Sequence, residues 1–167
     1  MAGESIEDLV ARVTAERGTM ITAVVPAYRV DVLVQRLEMV LDAAFGGAGP
    51  DVEVRLVLGS ACTTAARAVD QFVAALRLPY AAARGWGDFT DALGDRPASL
   101  RECVVVADAA RLLEHEDRDL WRELVSRLHG GPHCLGGGWN TLVLADDEYA
   151  WQEWAFKAEG TPPGPVR

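Results

Sequence analysis

The sequence predicts an α/β fold: a small, mostly parallel sheet of three to four strands flanked by helices. Three observations predict it. Strand-like runs alternate with amphipathic helical stripes almost throughout the 167 residues. Two of the runs, Cys103–Ala107 and Thr141–Ala145, are continuously apolar, as strands covered on both faces are. Half of the residues are hydrophobic, enough for a substantial core in a chain of this length.

The elements follow in order. Ser5-x-x-Asp8 resembles a capping box, and Ile6, Leu9, Val10 and Val13 continue it at helical spacing. Gly18 ends that helix, and Met20–Val25 reads as a short strand stopped by Pro26. Val30, Leu33, Val34, Leu37, Leu41, Ala44 and Phe45 form a second amphipathic stripe. The run Gly46–Pro50 is the best candidate for a boundary. Beyond it, Val52–Leu58 reads as a strand. Thr63 or Thr64 can cap a helix whose core face is Val69, Phe72, Val73 and Leu76. Leu78-Pro79 breaks the pattern before a short helix, Trp86 to Asp95. After the Cys103 strand comes a helical stripe of Leu120, Trp121, Leu124, Val125 and Leu128, then a glycine-rich loop and the Thr141 strand. Glu148–Lys157 reads as a terminal helix anchored by Trp151 and Trp154. The expected organisation is an α-β-α extension over residues 1–50, a domain over 51–160 and a disordered tail over 161–167.

A formal net charge of −9, from 25 acids against 16 Lys and Arg, argues against nucleic-acid binding, because phosphates are repelled. It argues equally against anionic membrane surfaces. A basic protein partner is instead steered in, although acidity also serves solubility alone. Three cysteines, Cys62, Cys103 and Cys134, form no C-x-x-C and no disulfide framework. The amino terminus has no secretory pattern and no membrane-length apolar run. The expected location is the cytoplasm.

The short helix carries the sharpest signal. Trp86, Phe89 and Leu93 fall on one side of it, whereas Asp88, Asp91 and Asp95 fall on the other at i, i+3 and i+7. Like charges at such spacing cost about 0.2–0.5 kcal/mol per pair, a cost that a docked cation removes. The competing reading is that Asp88 and Asp91, in the first turns, only complement the helix dipole. Trp86 suits a core as well as a contact. Tyr80 and Arg84 lie in the loop before the helix, where binding residues concentrate. Thr90 borders the apolar face.

From about Asp51 to Asp146 the element order and several motifs resemble the barstar family of small ribonuclease inhibitors. Leu76-x-Leu78-Pro79-Tyr80 looks like the end of the family's first helix. Gly85-Trp86-Gly87-Asp88-Phe89-Thr90-Asp91-Ala92-Leu93 looks like its N-W-D-A-L-x-D-x-L helix. Glu102–Leu113 is similar to the strand and turn that follow. Trp86 on the family's aromatic position puts Asp91 on its second inhibitory aspartate. The first aspartate then falls on Gly87, with Asp88 one place along. Gly85 replaces the asparagine before the aromatic. The family's acid on the following long helix has no clear counterpart, and Arg127 sits near that place. The long GGPHCLGGGWN replaces a short turn.

The resemblance implies a cytoplasmic immunity protein or antitoxin that plugs the active site of a basic toxin of ribonuclease type. Its implied contacts are Tyr80, Arg84, Trp86, Asp88, Thr90, Asp91 and Asp95, with no cofactor, metal or catalysis. The alternative on the same scaffold is an adaptor, or immunity to a toxin that is not a ribonuclease. Other motifs yield little. His129, His133 and Cys134 have a zinc-like spacing, but Gly130, Gly131 and Pro132 interrupt any helix that would align them, and no fourth ligand is obvious. Gly136–Gly138 opens a strand rather than a helix, the wrong place for a phosphate cradle.

Overall fold

A computed structural model describes residues 4–16, 18–45, 52–97, 101–129 and 139–159. The expected boundary loop 46–50, the glycine-rich loop with His133 and Cys134, and the expected disordered tail lie outside the described residues.

Four strands form one sheet: β1 (Met20–Val24), β2 (Glu53–Leu58), β3 (Arg101–Ala107) and β4 (Trp139–Asp146). The order is β1-β4-β3-β2 and every pairing is parallel. The α/β class and the parallel sheet are as the alternation predicts. Among the described residues six α-helices surround it: α1 (Ile6–Ala15), α2 (Val30–Phe45), α3 (Ala65–Ala75), α4 (Trp86–Gly94), α5 (Arg118–Leu128) and α6 (Glu148–Glu159).

Side chains alternate across a strand, so each face of the sheet builds its own core. Val104 and Val106 of β3 join Leu142 and Leu144 of β4 beneath α3, α4 and α5, where Phe72, Phe89, Leu93 and Leu124 are buried. Cys103 and Val105 join Val143, Ala145 and Ile21 on the other face, under Leu9 and Val13 of α1 and Leu33, Leu37 and Leu41 of α2. The central strands β3 and β4 are therefore apolar on both sides, which is why they read as unbroken apolar runs. The amino-terminal block is hydrogen-bonded into this same sheet: Ile21 pairs with Val143 and Ala23 with Ala145. Its helices lie on the face away from α4. Trp151 of α6 ties the ends together, its indole N–H donating to the carbonyl of Ala23 at 2.9 Å.

Caps follow the sequence closely. Ser5 Oγ accepts the Asp8 N–H at 3.0 Å and donates to the Asp8 carboxylate at 2.7 Å. Of the two candidate threonines, Thr64 caps α3, while Thr63 is buried. Gly18 takes a positive φ of 70°, which turns the chain from α1 into β1. Among the described residues no helix is long and apolar enough to cross a membrane.

Candidate functional site

The segment from Leu76 to Pro97 forms a ledge beside the sheet. A 3-10 turn, Tyr80–Arg84, leads through Gly85 directly into α4. Phe89 and Leu93 anchor α4 in the core. Phe89 meets Phe72 at 6.2 Å between ring centroids and Trp86 at 5.6 Å. Trp86 is half-buried, and its indole N–H donates to the Glu123 carboxylate of α5 at 2.9 Å. Beyond that contact, Arg127 of α5 lies over the last turn of α4: its Nη1 is 2.6 Å from where a Cβ on Gly94 would stand. A cation there complements the negative end of the helix.

Asp88, Asp91 and Asp95 are all exposed, on the side of α4 away from Phe89 and Leu93. All three line one open groove of about 460 Å³. Leu76, Leu78, Pro79 and Ala82 supply its apolar wall, and Ala92 belongs to its helical side. Arg77 and Arg96 also border it. Arg96 is nine-tenths buried and its charge is held by Glu102, itself buried at the start of β3. Among the described residues the three aspartates make no side-chain hydrogen bond and no ion pair, and neither does Arg77. The dipole reading covers only Asp88, which is in the first turn of α4. Asp95 is the C-cap, where the dipole disfavours an acid.

The expected contact residues divide. Tyr80, 87% exposed, opens the turn before α4 and Arg84 closes it, and both are accessible. Asp88, Asp91 and Asp95 share the groove. Thr90 does not belong with them. It is 4% exposed, and its hydroxyl donates to the carbonyl of Gly87 at 3.1 Å. The reason is angular: four residues after Trp86, it falls on the buried side of the helix. Trp86 serves chiefly as a packing residue, joining α4 to α5. The sequence reading missed Glu123 and Arg77, which only the folded chain brings to α4, and Arg96, which directly follows the C-cap.

A second group of acids sits at the carboxyl ends of the strands, and its chemistry is spent internally. Asp108, at φ 49°, accepts from Ser60 Oγ at 2.6 Å. Asp146 accepts the N–H groups of Ala110 and Asp147 at 2.9 and 2.8 Å, and burial pushes its carboxyl above the usual range. Among the described residues no group of three His, Cys, Asp or Glu is placed to hold a metal ion.

No family model matches this chain, and no curated protein matches it. Solved structures do. The ORC2 protein of Aeropyrum pernix in ADPNP-ADP complexes is similar at 14% identity with a TM-score of 0.64, over 93% of this chain and 43% of that one. Its ADP form gives 12% identity and a TM-score of 0.61, over 96% of this chain and 46% of that one. This chain thus spans less than half the length of either. At these identities the likeness establishes an α/β fold shared with part of a larger protein.

Proposed function

We propose that this chain is a cytoplasmic immunity protein or antitoxin that inhibits a basic toxin of ribonuclease type. The acidic helix α4 and the Tyr80–Arg84 turn are its binding surface. The observation that carries the reading is the line of Asp88, Asp91 and Asp95 on an exposed helix face, unpaired among the described residues. A ribonuclease active site holds cations placed to receive phosphates. Carboxylates fixed along a helix occupy those positions and form charge-assisted hydrogen bonds with Arg and Lys. Tyr80 adds contact area at low entropy cost. The resemblance of Leu76–Leu93 to the barstar motif supports the same surface.

The nucleotides named with the ORC2 structures suggest another class, and the residues here speak against it. A phosphate cradle needs a glycine-rich loop between a strand and a helix N-terminus. In this chain Val25, Pro26, Ala27, Tyr28 and Arg29 join β1 to α2, with no glycine among them. The acids at the strand ends are already bonded to their own backbone and to Ser60. A role without catalysis fits both facts. The alternative on the same surface is an adaptor, or immunity to a toxin of another activity. Gly87 at the family's first aspartate position and Arg127 beside α4 favour it.

The test is whether the chain binds and inhibits the product of the neighbouring gene in a ribonuclease assay, with Asp91→Ala as the variant. The wild type is expected to inhibit, and Asp91→Ala to dissociate faster by about tenfold or more, the loss of one charge-assisted contact. An unchanged dissociation rate removes α4 from the interface. Tight binding to a toxin without ribonuclease activity selects the alternative.

A further inference from the structure

We infer that the free edge of β2, with the groove it shares with α2, docks an extended segment of a basic protein partner as an added strand. This surface shares no residue with the α4 ledge and does not depend on the inhibitor reading.

The sheet has two edges, and they are finished differently. On β1 the carbonyls of Thr22 and Ala23 accept from Arg12 Nη2 and the Trp151 indole, at 3.5 and 2.9 Å. On β2, at the opposite edge, no side chain among the described residues bonds the backbone. An uncovered edge presents a row of N–H and C=O groups that templates another strand. Charge commonly blunts such edges, but the charges of β2 lie in its first half and are spent within the chain. Glu53 pairs with Arg55, and Arg55 also meets the buried Glu102 at 3.5 Å. The second half, Leu56–Leu58, carries none.

Register fixes where the side chains of β2 point. Val54, Leu56 and Leu58 lie beside Cys103, Val105 and Ala107, on the sheet face that α1 and α2 cover. Those β3 residues are buried, yet Leu56 is 37% exposed and Leu58 48%. Exposed Met39 of α2, with Val52 and Val54, borders an open groove of about 450 Å³. Glu38 and Asp42 stand in the same groove, exposed and unpaired among the described residues. The face therefore runs from apolar at Leu58 to acidic beside Val54.

These features define the occupant. A docked helix leaves the backbone edge unused. A second copy of this chain opposes a net charge of −9 with another −9. An added strand pairs with the edge, and antiparallel pairing is the more stable per residue. Its same-face side chains stand about 7 Å apart. Two apolar residues then meet Leu58 and Leu56, and a basic residue two places further on, opposite Val54, reaches Glu38 and Asp42. The docked pattern is apolar-x-apolar-x-basic.

The probe is acetyl-Val-Thr-Val-Thr-Arg-Thr-amide, titrated into the full-length chain and followed by amide NMR shifts. Saturable shifts are expected at Met39, Val54, Leu56 and Leu58. The peptide with Glu in place of Arg is expected to bind at least about fivefold more weakly. Two N-methylated peptides read the backbone pairing, one methylated on alternate amides and the other on the amides between them. Only alternate N–H groups of an added antiparallel strand face the sheet. One methylated peptide is therefore expected to lose at least about tenfold in affinity, and the other to bind like the parent. Leu58→Lys puts a charge at an exposed position and is expected to weaken binding at least about fivefold with an unchanged melting temperature. Absent shifts overturn the inference, as do equal binding by the two methylated peptides, equal binding by the Arg and Glu peptides, or full binding by Leu58→Lys. If Leu58→Lys fails to fold, the methylated pair on the wild type decides.

Discussion

Neighbouring residues on α4 have opposite tasks, and substitution separates them. Asp91 is exposed and, among the described residues, makes no side-chain hydrogen bond or ion pair, so Asp91→Ala is expected to change stability by less than about 0.5 kcal/mol while damaging partner binding. Thr90, one position earlier, is buried and donates to Gly87. Thr90→Val keeps the shape and removes that hydrogen bond. It is expected to cost about 0.5–1.5 kcal/mol in urea unfolding and to leave the partner's dissociation rate unchanged. The reverse pattern, with Thr90 felt by the partner and Asp91 not, would mean that the wrong face of α4 has been assigned to binding. The cysteines show the same dependence on depth. Burial pushes the thiols of Cys62 and Cys103 up to about 12, so neither is a thiolate near neutrality. Both are expected to resist alkylation at pH 8 in the folded protein and to react once urea unfolds it. Peptide mapping reads each one separately.

At the scale of elements, what was legible in the sequence was what local periodicity encodes. The caps at Ser5 and Thr64, the stripes of α2 and α5 and the buried runs of β3 and β4 all depend on residues a few positions apart. Junctions depend on distant partners and were not legible. Gly59 is one: a Cβ there would stand 2.3 Å from the carbonyl oxygen of Asp108, 49 residues away along the chain. The candidate site divides in the same way. The opposition of Asp88, Asp91 and Asp95 to Phe89 and Leu93 follows from 3.6-residue geometry. The apolar wall opposite them, and Glu123 under Trp86, exist only after α3 and α5 have packed. The end of α3 gives a further test. Arg77 holds φ at 52° where helices usually place glycine, while Leu78 N–H bonds back to Val73 O at 3.0 Å. A left-handed conformation costs a non-glycine residue about 1–2 kcal/mol, so Arg77→Gly is expected to raise stability by up to about 1 kcal/mol. A lower melting temperature for Arg77→Gly would mean that the arginine side chain itself stabilises the turn.

For the molecule as a whole, the decisive fact is that the amino-terminal block and the ledge share one sheet from opposite faces. β4 is hydrogen-bonded to β1 on one side and β3 on the other, so β1 leaves no free edge between the two blocks. α1 and α2 cover Cys103, Val105, Val143 and Ala145, the backs of the strands whose fronts support α3, α4 and α5. Burial of apolar surface dominates folding at about 25 cal/mol per Å². Removing residues 1–50 would strip an entire core from β3 and β4 and leave their apolar backs open to water. Net stability of a domain is only about 5–15 kcal/mol, too little to absorb such a loss. Residues 51–167 made alone are therefore expected to lose cooperative unfolding, give poorly dispersed amide spectra and aggregate. The binding surface should fail with them, although α1 and α2 pack on the face away from α4. If the shortened chain instead unfolds cooperatively and still inhibits the partner, the first block is an appendage and the second half carries its own fold. Retained folding with lost inhibition would place a partner contact on residues 1–50.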